Sequence, residues 1–338
     1  MRNFIFFSFF ILFIIILWNY SDENKHLIKI RGITMGNISY NIKYLDKEKI
    51  NYKSEIDSIL VDFNNLLSTY ISDSELSTLN NVDTLFNISN ELYDILKISD
   101  DIYKATEGSF DPTIGKLVNL WGFGPRKILK TPDTLKVIET LKNVGFNQIY
   151  FDDKIAVRNN LNIYLDFSAI AKGYAVDMLA EFLIRKNIKS FMIEIGGEVR
   201  CSGLNKNKNW IIGIDDPLES NSNFPFASVS LVDRSLATSG NYRNFYKKNN
   251  TIITHTIDPI TGFSSKSNIL SASVFHKYCT EADAYATAFM VLGLKKSIQI
   301  VEKNTNLDVF LIYLDENQNI KKYVSKGIVN NINFLKEN

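Results

Sequence analysis

Residues 162–202 read NIYLDFSAIAKGYAVDMLAEFLIRKNIKSFMIEIGGEVRCS. Three apolar residues alternate over 162–167, which predicts a strand ending at Asp166. The run 171–186 has helical spacing. Two further strands, 190–195 and 198–202, then flank Gly196-Gly197, a pair that lets backbone turn or approach a neighbour closely. A strand, a helix and a hairpin in succession are the signature of α+β architecture rather than of an open parallel sheet. No strand–Gly-x-Gly-x-x-Gly–helix unit occurs, so a dinucleotide-binding Rossmann domain is not expected.

Outward from this stretch the same irregular mixture continues. Residues 28–44 read as two strands broken at Met35-Gly36. Residues 49–67 read as a helix with Ile56, Ile59, Leu60 and Phe63 on one face, and 88–106 as another with Leu92, Ile95, Leu96 and Ile102. Thr131-Pro132-Asp133 reads as a helix start, with Thr131 as the cap and Pro132 at the first helical position, the helix ending at Gly145. Strands are expected at 148–151 and 154–158 and across much of 210–256. A helix over 281–292 precedes a second helix and closing strands. The fold class is therefore α+β, with mixed, mostly antiparallel sheets and packed helices.

The chain of 338 residues is close to neutral, with 38 Lys and Arg against 37 Asp and Glu. It lacks the basic surplus that nucleic-acid binding needs. Two cysteines, Cys201 and Cys279, exclude a disulfide-dense scaffold, and three histidines leave little for a multi-histidine metal centre. The two cysteines could be free and buried, or paired. Phe4 to Trp18 is apolar apart from Ser8, follows Arg2 and precedes Asp22 and Glu23. Its helical length of about 22 Å falls short of a hydrocarbon core of roughly 30 Å, and Trp18 and Tyr20 at the interface nearly close the gap. Residues 1–20 are read as a signal peptide or, since small residues for cleavage are absent, an uncleaved signal anchor. Residues 21–338 form the remaining domain, outside the cytoplasmic membrane.

Five segments concentrate polar and glycine residues where loops or element ends are expected. Leu67-Ser68-Thr69-Tyr70 leads into Asp73-Ser74-Glu75-Leu76, a helix end followed by a capping serine. Gly108-Ser109-Phe110-Asp111-Pro112-Thr113 runs on to Trp121-Gly122-Phe123-Gly124-Pro125, a loop suited either to packing or to walling a ligand pocket. Asp166-Phe167-Ser168-Ala169-Ile170-Ala171-Lys172-Gly173 places free amides and a cation at a helix start, which favours an anion such as a diphosphate. Glu194-Ile195-Gly196-Gly197-Glu198 and Thr238-Ser239-Gly240-Asn241-Tyr242 precede His255-Thr256-Ile257-Asp258-Pro259-Ile260-Thr261-Gly262, where His255 could act as a general base or serve structure. Finally, Asp283 and Thr287 stand one helical turn apart in Glu281-Ala282-Asp283-Ala284-Tyr285-Ala286-Thr287. A carboxylate and a hydroxyl so spaced can both reach magnesium, although a helix-start Asp and a back-bonding Thr are equally familiar.

In this order the motifs resemble the FAD:protein FMN transferases, the ApbE-like flavin transferases, from Met35-Gly36 to Gly293. The resemblance implies a two-lobed flavin-binding fold. It implies magnesium-dependent transfer of the FMN half of FAD to a threonine hydroxyl on an acceptor flavoprotein subunit, with release of AMP. FAD pyrophosphatase activity, giving FMN and AMP, and non-catalytic flavin binding are the alternatives. By resemblance, Met35, Tyr70, Ser109, Phe110, Asp111, Asp166, Lys172 and Thr256 would hold FAD. Ala169, through its carbonyl, Asp283 and Thr287 would hold Mg2+, and His255 would be the base. The implied acceptor carries a threonine-containing motif, as in subunits of sodium-translocating NADH:quinone reductase or related complexes. The implied location is the inner membrane, facing the periplasm or extracytoplasmic side. The chain departs from the family in lacking a lipid-anchoring cysteine, in Asn37 after Met35-Gly36, and in Phe263-Ser264 where Tyr-Pro is frequent.

Overall fold

The structure, a computed structural model, describes residues 25–83, 85–125, 132–217, 224–241, 245–248 and 251–335. The apolar block at 4–18 and Thr131 lie outside these residues. Among the described residues no helix is long and apolar enough to cross a membrane.

The first elements are β1 (His26–Thr34) and β2 (Ile38–Asp46), a hairpin around Met35-Gly36. Next come α1 (Lys53–Leu67), α2 (Glu75–Asn81), β3 (Phe86–Asn87), α3 (Asn90–Ala105), α4 (Gly115–Leu120), α5 (Thr134–Leu141), β4 (Ile149–Phe151) and β5 (Ile155–Arg158). The sequence quoted above then forms α6 (Ala171–Arg185), β6 (Phe191–Ile195) and β7 (Glu198–Ser202). Strands β8 (Trp210–Ile214), β9 (Ala227–Leu231), β10 (Arg234–Gly240), β11 (Phe245–Lys248), β12 (Thr251–Thr254) and β13 (Ile269–His276) follow. The chain closes with α7 (Cys279–Lys303), β14 (Asp308–Leu314), β15 (Ile320–Val324) and β16 (Ile332–Phe334).

An eight-stranded sheet, ordered β1-β2-β6-β7-β10-β13-β14-β15, forms the frame, and every ladder in it is antiparallel. The α+β expectation holds. One face of the sheet carries the largest core, in which Ile42, Ile193, Ala237 and Val274 meet Ile56, Leu96, Leu179, Ala286 and Phe289 from the helices. The other face is covered by the sheet β16-β9-β8, where Trp210, Phe226 and Val229 pack on Val199, Leu236, Phe275 and Phe310. A third cluster, Leu117, Trp121, Val137, Ile253 and Ile257, lies apart from both. Period-two alternation on strands and 3.6-residue periodicity on helices thus place the apolar residues as the sequence anticipates.

Two local expectations are corrected. Residues 162–167 form no named strand. Ile163, Leu165 and Phe167 are buried in alternation, but Leu165 pairs its N–H and C=O with the Asn80 side chain (both 2.8 Å), and Tyr164 makes an isolated parallel bridge with Ile114. Side-chain and loop partners replace the ladder. The helix expected from Pro132 begins at Thr134, because Asp133 rather than Thr131 is its cap: Asp133 Oδ1 accepts from Leu135 N–H at 3.1 Å. That helix ends at Leu141, not Gly145. The anticipated division of the last long helix is present at Gly293, whose φ of 75° and ψ of 175° interrupt α7. Cys201 and Cys279 are free and buried.

Candidate active site

Sheet register brings several motifs to one end of the frame. Strand β1 ends and β2 begins at the Met35 turn, β6 ends and β7 begins at Gly196-Gly197, and β10 ends at Gly240. Met35 holds φ at 47°, in the left-handed region that few non-glycine residues adopt. Gly196 (φ 60°) and Gly197 (φ 105°) make a two-residue turn that requires positive φ twice. A side chain on Gly196 would also start 2.8 Å from Ile38 Cγ2 and 3.4 Å from Lys172 Cδ. The Lys172 stem therefore lies over this turn.

Lys172 is on the first turn of α6. Its Nζ is 2.7 Å from Glu198 Oε1 and 3.6 Å from Asp283 Oδ1. Both carboxylates are 2% exposed. Burial pulls the Lys172 pKa down, but the carboxylates of Asp283 and Glu198 outweigh it, and the ammonium is held above its ordinary value. Burial, only partly offset by Lys172, raises the carboxyls of Asp283 and of Glu198, the latter to about 7. Asp283 Oδ2 accepts the Gly173 N–H at 3.0 Å. Gly173 is where α6 and α7 cross: an added Cβ would stand 2.3 Å from the Cys279 carbonyl oxygen. One turn beyond Asp283, the Thr287 hydroxyl is 3.1 Å from that of Ser239 on β10.

The start of α7 is fixed by a residue that the sequence reading did not single out. Asp177, one turn into α6, accepts Cys279 N–H (3.1 Å), Thr280 N–H (2.8 Å) and the Thr280 hydroxyl (2.6 Å), and pairs with Arg200 (2.8 Å). Glu198 was likewise passed over, although it stands in the quoted Gly-Gly-Glu. Its partner, Lys172, lies in the same quoted stretch but on a different element, so no helix or strand spacing joins the two.

Asp166 and Asp111 organise the loops that lead to α6. Asp166 Oδ1 accepts the Ser168 N–H (2.8 Å) and its hydroxyl, while Asp166 N–H donates to Pro112 C=O (2.7 Å). Asp111 Oδ1 accepts Thr113 N–H (2.7 Å) and its hydroxyl (2.5 Å), and Oδ2 accepts Phe146 N–H (3.2 Å). Burial raises Asp111 to about 6 against these bonds. Ser109, Phe110 and Asp111 are all buried, with Phe110 in the main core, so these side chains brace the loop. Tyr70 is exposed. Partial burial and the Asp166 carboxylate raise its phenol pKa.

His255 is half-buried on the third cluster, its ring edge-on to Phe123 with centroids 6.3 Å apart. The loop after it is closed by Asp258, which accepts Ile260 N–H and the Thr261 hydroxyl, both at 2.9 Å. Trp121 Nε1 donates to Gly262 C=O (2.8 Å). The Trp-Gly-Phe-Gly segment is thus the platform of the His255 loop. The Thr256 hydroxyl donates to Asn241 Oδ1 (2.8 Å), two residues beyond Ser239, which ties this loop to the Thr287 edge.

The oxygens near Lys172 suit a hard cation. Asp283 supplies a carboxylate and Thr287 a hydroxyl. The Ala169 carbonyl is not used by Gly173 N–H four residues on, since that amide goes to Asp283. Among the described residues no group of three or more His, Cys, Asp or Glu side chains could hold a metal. Two cavities of about 510 and 560 Å³ lie beside β2, β6 and β8, lined by Met192 and Ile212 with Trp210 or Asn41, and not by Asp283 or His255.

The ApbE family model matches residues 35–311. A protein of Haemophilus influenzae named FAD:protein FMN transferase is 38% identical over 89% of this chain and 90% of its own length. One of the same name from Vibrio cholerae is 34% identical over 90% of this chain and 93% of its own length. The solved flavin transferase ApbE from Vibrio cholerae superposes with a TM-score of 0.80 at 33% identity, covering 89% of this chain and 98% of that one.

Proposed function

The chain belongs to the ApbE family, and from that premise we propose that it is an FAD:protein FMN transferase. It moves the FMN half of FAD to a threonine hydroxyl of an acceptor flavoprotein subunit and releases AMP. The observation that carries the reading is the meeting of Lys172 and Asp283 across the α6–α7 contact, with Thr287 one turn away.

Lys172 and the free amides at the start of α6 bind the diphosphate of FAD. Met35, Tyr70, the 109–111 loop, Asp166 and Thr256 line the rest of the FAD site. Asp283, Thr287 and the Ala169 carbonyl hold magnesium, which when bound supplies charge neutralisation at the diphosphate. The threonine oxygen of the acceptor forms a bond to the FMN phosphorus as the bond to the AMP oxygen breaks. His255 takes the hydroxyl proton and passes it to solvent. Lys172 meets negative charge on the departing phosphate. Residues 1–20 anchor the enzyme in the inner membrane with its body on the extracytoplasmic side, where a subunit of a sodium-translocating NADH:quinone reductase or related complex is the acceptor.

The test is incubation of the purified protein with FAD, Mg2+ and a threonine-containing acceptor domain. Flavin fluorescence on the acceptor band of a denaturing gel is expected. AMP and FMN without labelling would reassign the site to FAD hydrolysis, and bound FAD without turnover would make it a flavin-binding protein. Asp283→Ala abolishes labelling; an unchanged Mg2+-dependent rate would remove Asp283 from the cation site. His255→Ala lowers kcat about a hundredfold or more while FAD still binds. Loss of FAD binding instead would assign His255 to structure.

A further inference from the structure

We infer that Glu198 is a positioning residue: it holds the Lys172 ammonium off Asp283 and so keeps that carboxylate available to a divalent cation. The inference rests on the proposed function in one respect, that Asp283 is a cation ligand.

Lys172 faces two buried carboxylates and binds them unequally. Its contact with Glu198 Oε1 is a charge-assisted hydrogen bond at 2.7 Å, whereas Asp283 Oδ1, at 3.6 Å, lies beyond hydrogen-bond reach. When both carboxyls are ionised, one ammonium between them leaves one negative charge in excess in a water-poor setting, where an uncompensated charge is costly. That excess invites a second cation. On the Asp283 side the oxygen that would meet it is Oδ1, because Oδ2 is engaged by Gly173 N–H.

Glu198 is built to keep the lysine. It opens β7 opposite Ile195 in the ladder, immediately after the Gly196-Gly197 turn, so its backbone is fixed on both sides. The Lys172 stem lies over Gly196, which restricts how the ammonium swings. Glu198 Oε2 is fully buried and has no hydrogen-bond partner among the described residues. A buried carboxylate with one oxygen unmet holds its sole cation firmly. If Glu198 loses its charge, the remaining partner for the ammonium is Asp283, 3.6 Å away. Lysine and metal then compete for one oxygen.

The experiment is Mn2+ titration of the full chain without FAD, followed by calorimetry or the loss of the free Mn2+ spin-resonance signal. Glu198→Gln is expected to weaken Mn2+ binding about tenfold, and adding Lys172→Met to restore it to within about threefold of the starting protein. Unchanged affinity in Glu198→Gln overturns the inference. So does a double variant as weak as the single one, because Glu198 would then be a ligand or a prop. If Glu198→Gln does not fold, Glu198→Asp keeps the charge but withdraws it by one methylene. It should weaken Mn2+ binding to a smaller degree, again recovered by Lys172→Met, and failure of either result overturns the inference. Asp283→Asn separates the two levels of the reading. It should abolish Mn2+ binding, and if it binds as the starting protein does, Asp283 is not the ligand and both readings fall. Absence of Mn2+ binding by the starting protein has the same consequence.

Discussion

At the scale of residues, the site depends on side chains and hydrogens placed where two helices nearly touch. Gly173 allows α6 to approach the Cys279 carbonyl, and the same residue gives its N–H to Asp283. Gly173→Ala forces the helices apart, and overpacking of this kind costs about 1–3 kcal/mol. A fall in Tm together with weaker Mg2+ or Mn2+ binding is expected; a variant that lowers neither would show that the crossing yields without cost. The thiols offer a second check. Burial raises the pKa of both Cys201 and Cys279. A thiol kept protonated and enclosed reacts slowly. Native protein should leave a thiol reagent almost unconsumed at neutral pH, and denatured protein should consume two equivalents. Rapid modification of the native protein would contradict the burial. Asp111 has a pH signature. Its carboxyl is raised to about 6 by burial, against the ordinary acidic value in the unfolded chain. The folded state then binds the proton more tightly, so the contribution of Asp111 to stability is full at low pH and declines as pH rises from about 4 to 6. The stability advantage over Asp111→Asn should shrink across that window in denaturant melts; an advantage that grows with pH would reverse the assignment.

At the scale of elements, α7 is set by a residue outside it. Tyr278 precedes the helix without a side-chain cap, and Asp177 from α6 takes up the first amides. Asp177→Ala removes that cap and leaves the buried Arg200 with the half-exposed Glu181 as its remaining ion-pair partner among the described residues, a change worth about 3–5 kcal/mol when a buried pair is broken. Denaturant melts should report it, and a loss below 1 kcal/mol would mean that water replaces Asp177. Much of the element order was legible because apolar periodicity survives into the core. The helices around Ile56 and Leu96, the hairpin at Gly196-Gly197 and the two-part helix at Gly293 all follow it. At 162–167 the apolar alternation that predicts a strand is real, since Ile163, Leu165 and Phe167 are buried. Sequence could not reveal that Asn80 and Pro112 would take the backbone bonds. Helical spacing puts Asp283 and Thr287 on one face of α7, as the structure has them, and the sequence places Lys172 at a helix start, where it lies on the first turn of α6. The roles of Glu198 and Asp177 are not legible there, because each acts across a contact between different elements, where helix or strand spacing gives no signal.

At the scale of the whole molecule, the residues proposed for the diphosphate and the cation border the main core, between its members Ala282, Ala284, Ala286 and Ala288 and beside Ala171, while His255 rides on the separate cluster of Leu117, Trp121, Val137, Ile253 and Ile257. Several hydrogen bonds tie the two, among them Thr256 to Asn241, Ser265 Oγ to the Met290 carbonyl and Gly115 N–H to the Tyr164 carbonyl. Local opening follows such divisions, since small clusters with few buried contacts open at lower free energy than the main core. In the proposed reaction, the histidine's support would loosen to admit a bulky acceptor while the phosphates of FAD stay seated. Hydrogen exchange should register this as two protection classes, with amides of 253–264 exchanging faster than those of α6 and the first half of α7. In that partition the enzyme would have a hand that grips and a hand that opens, each with its own clock.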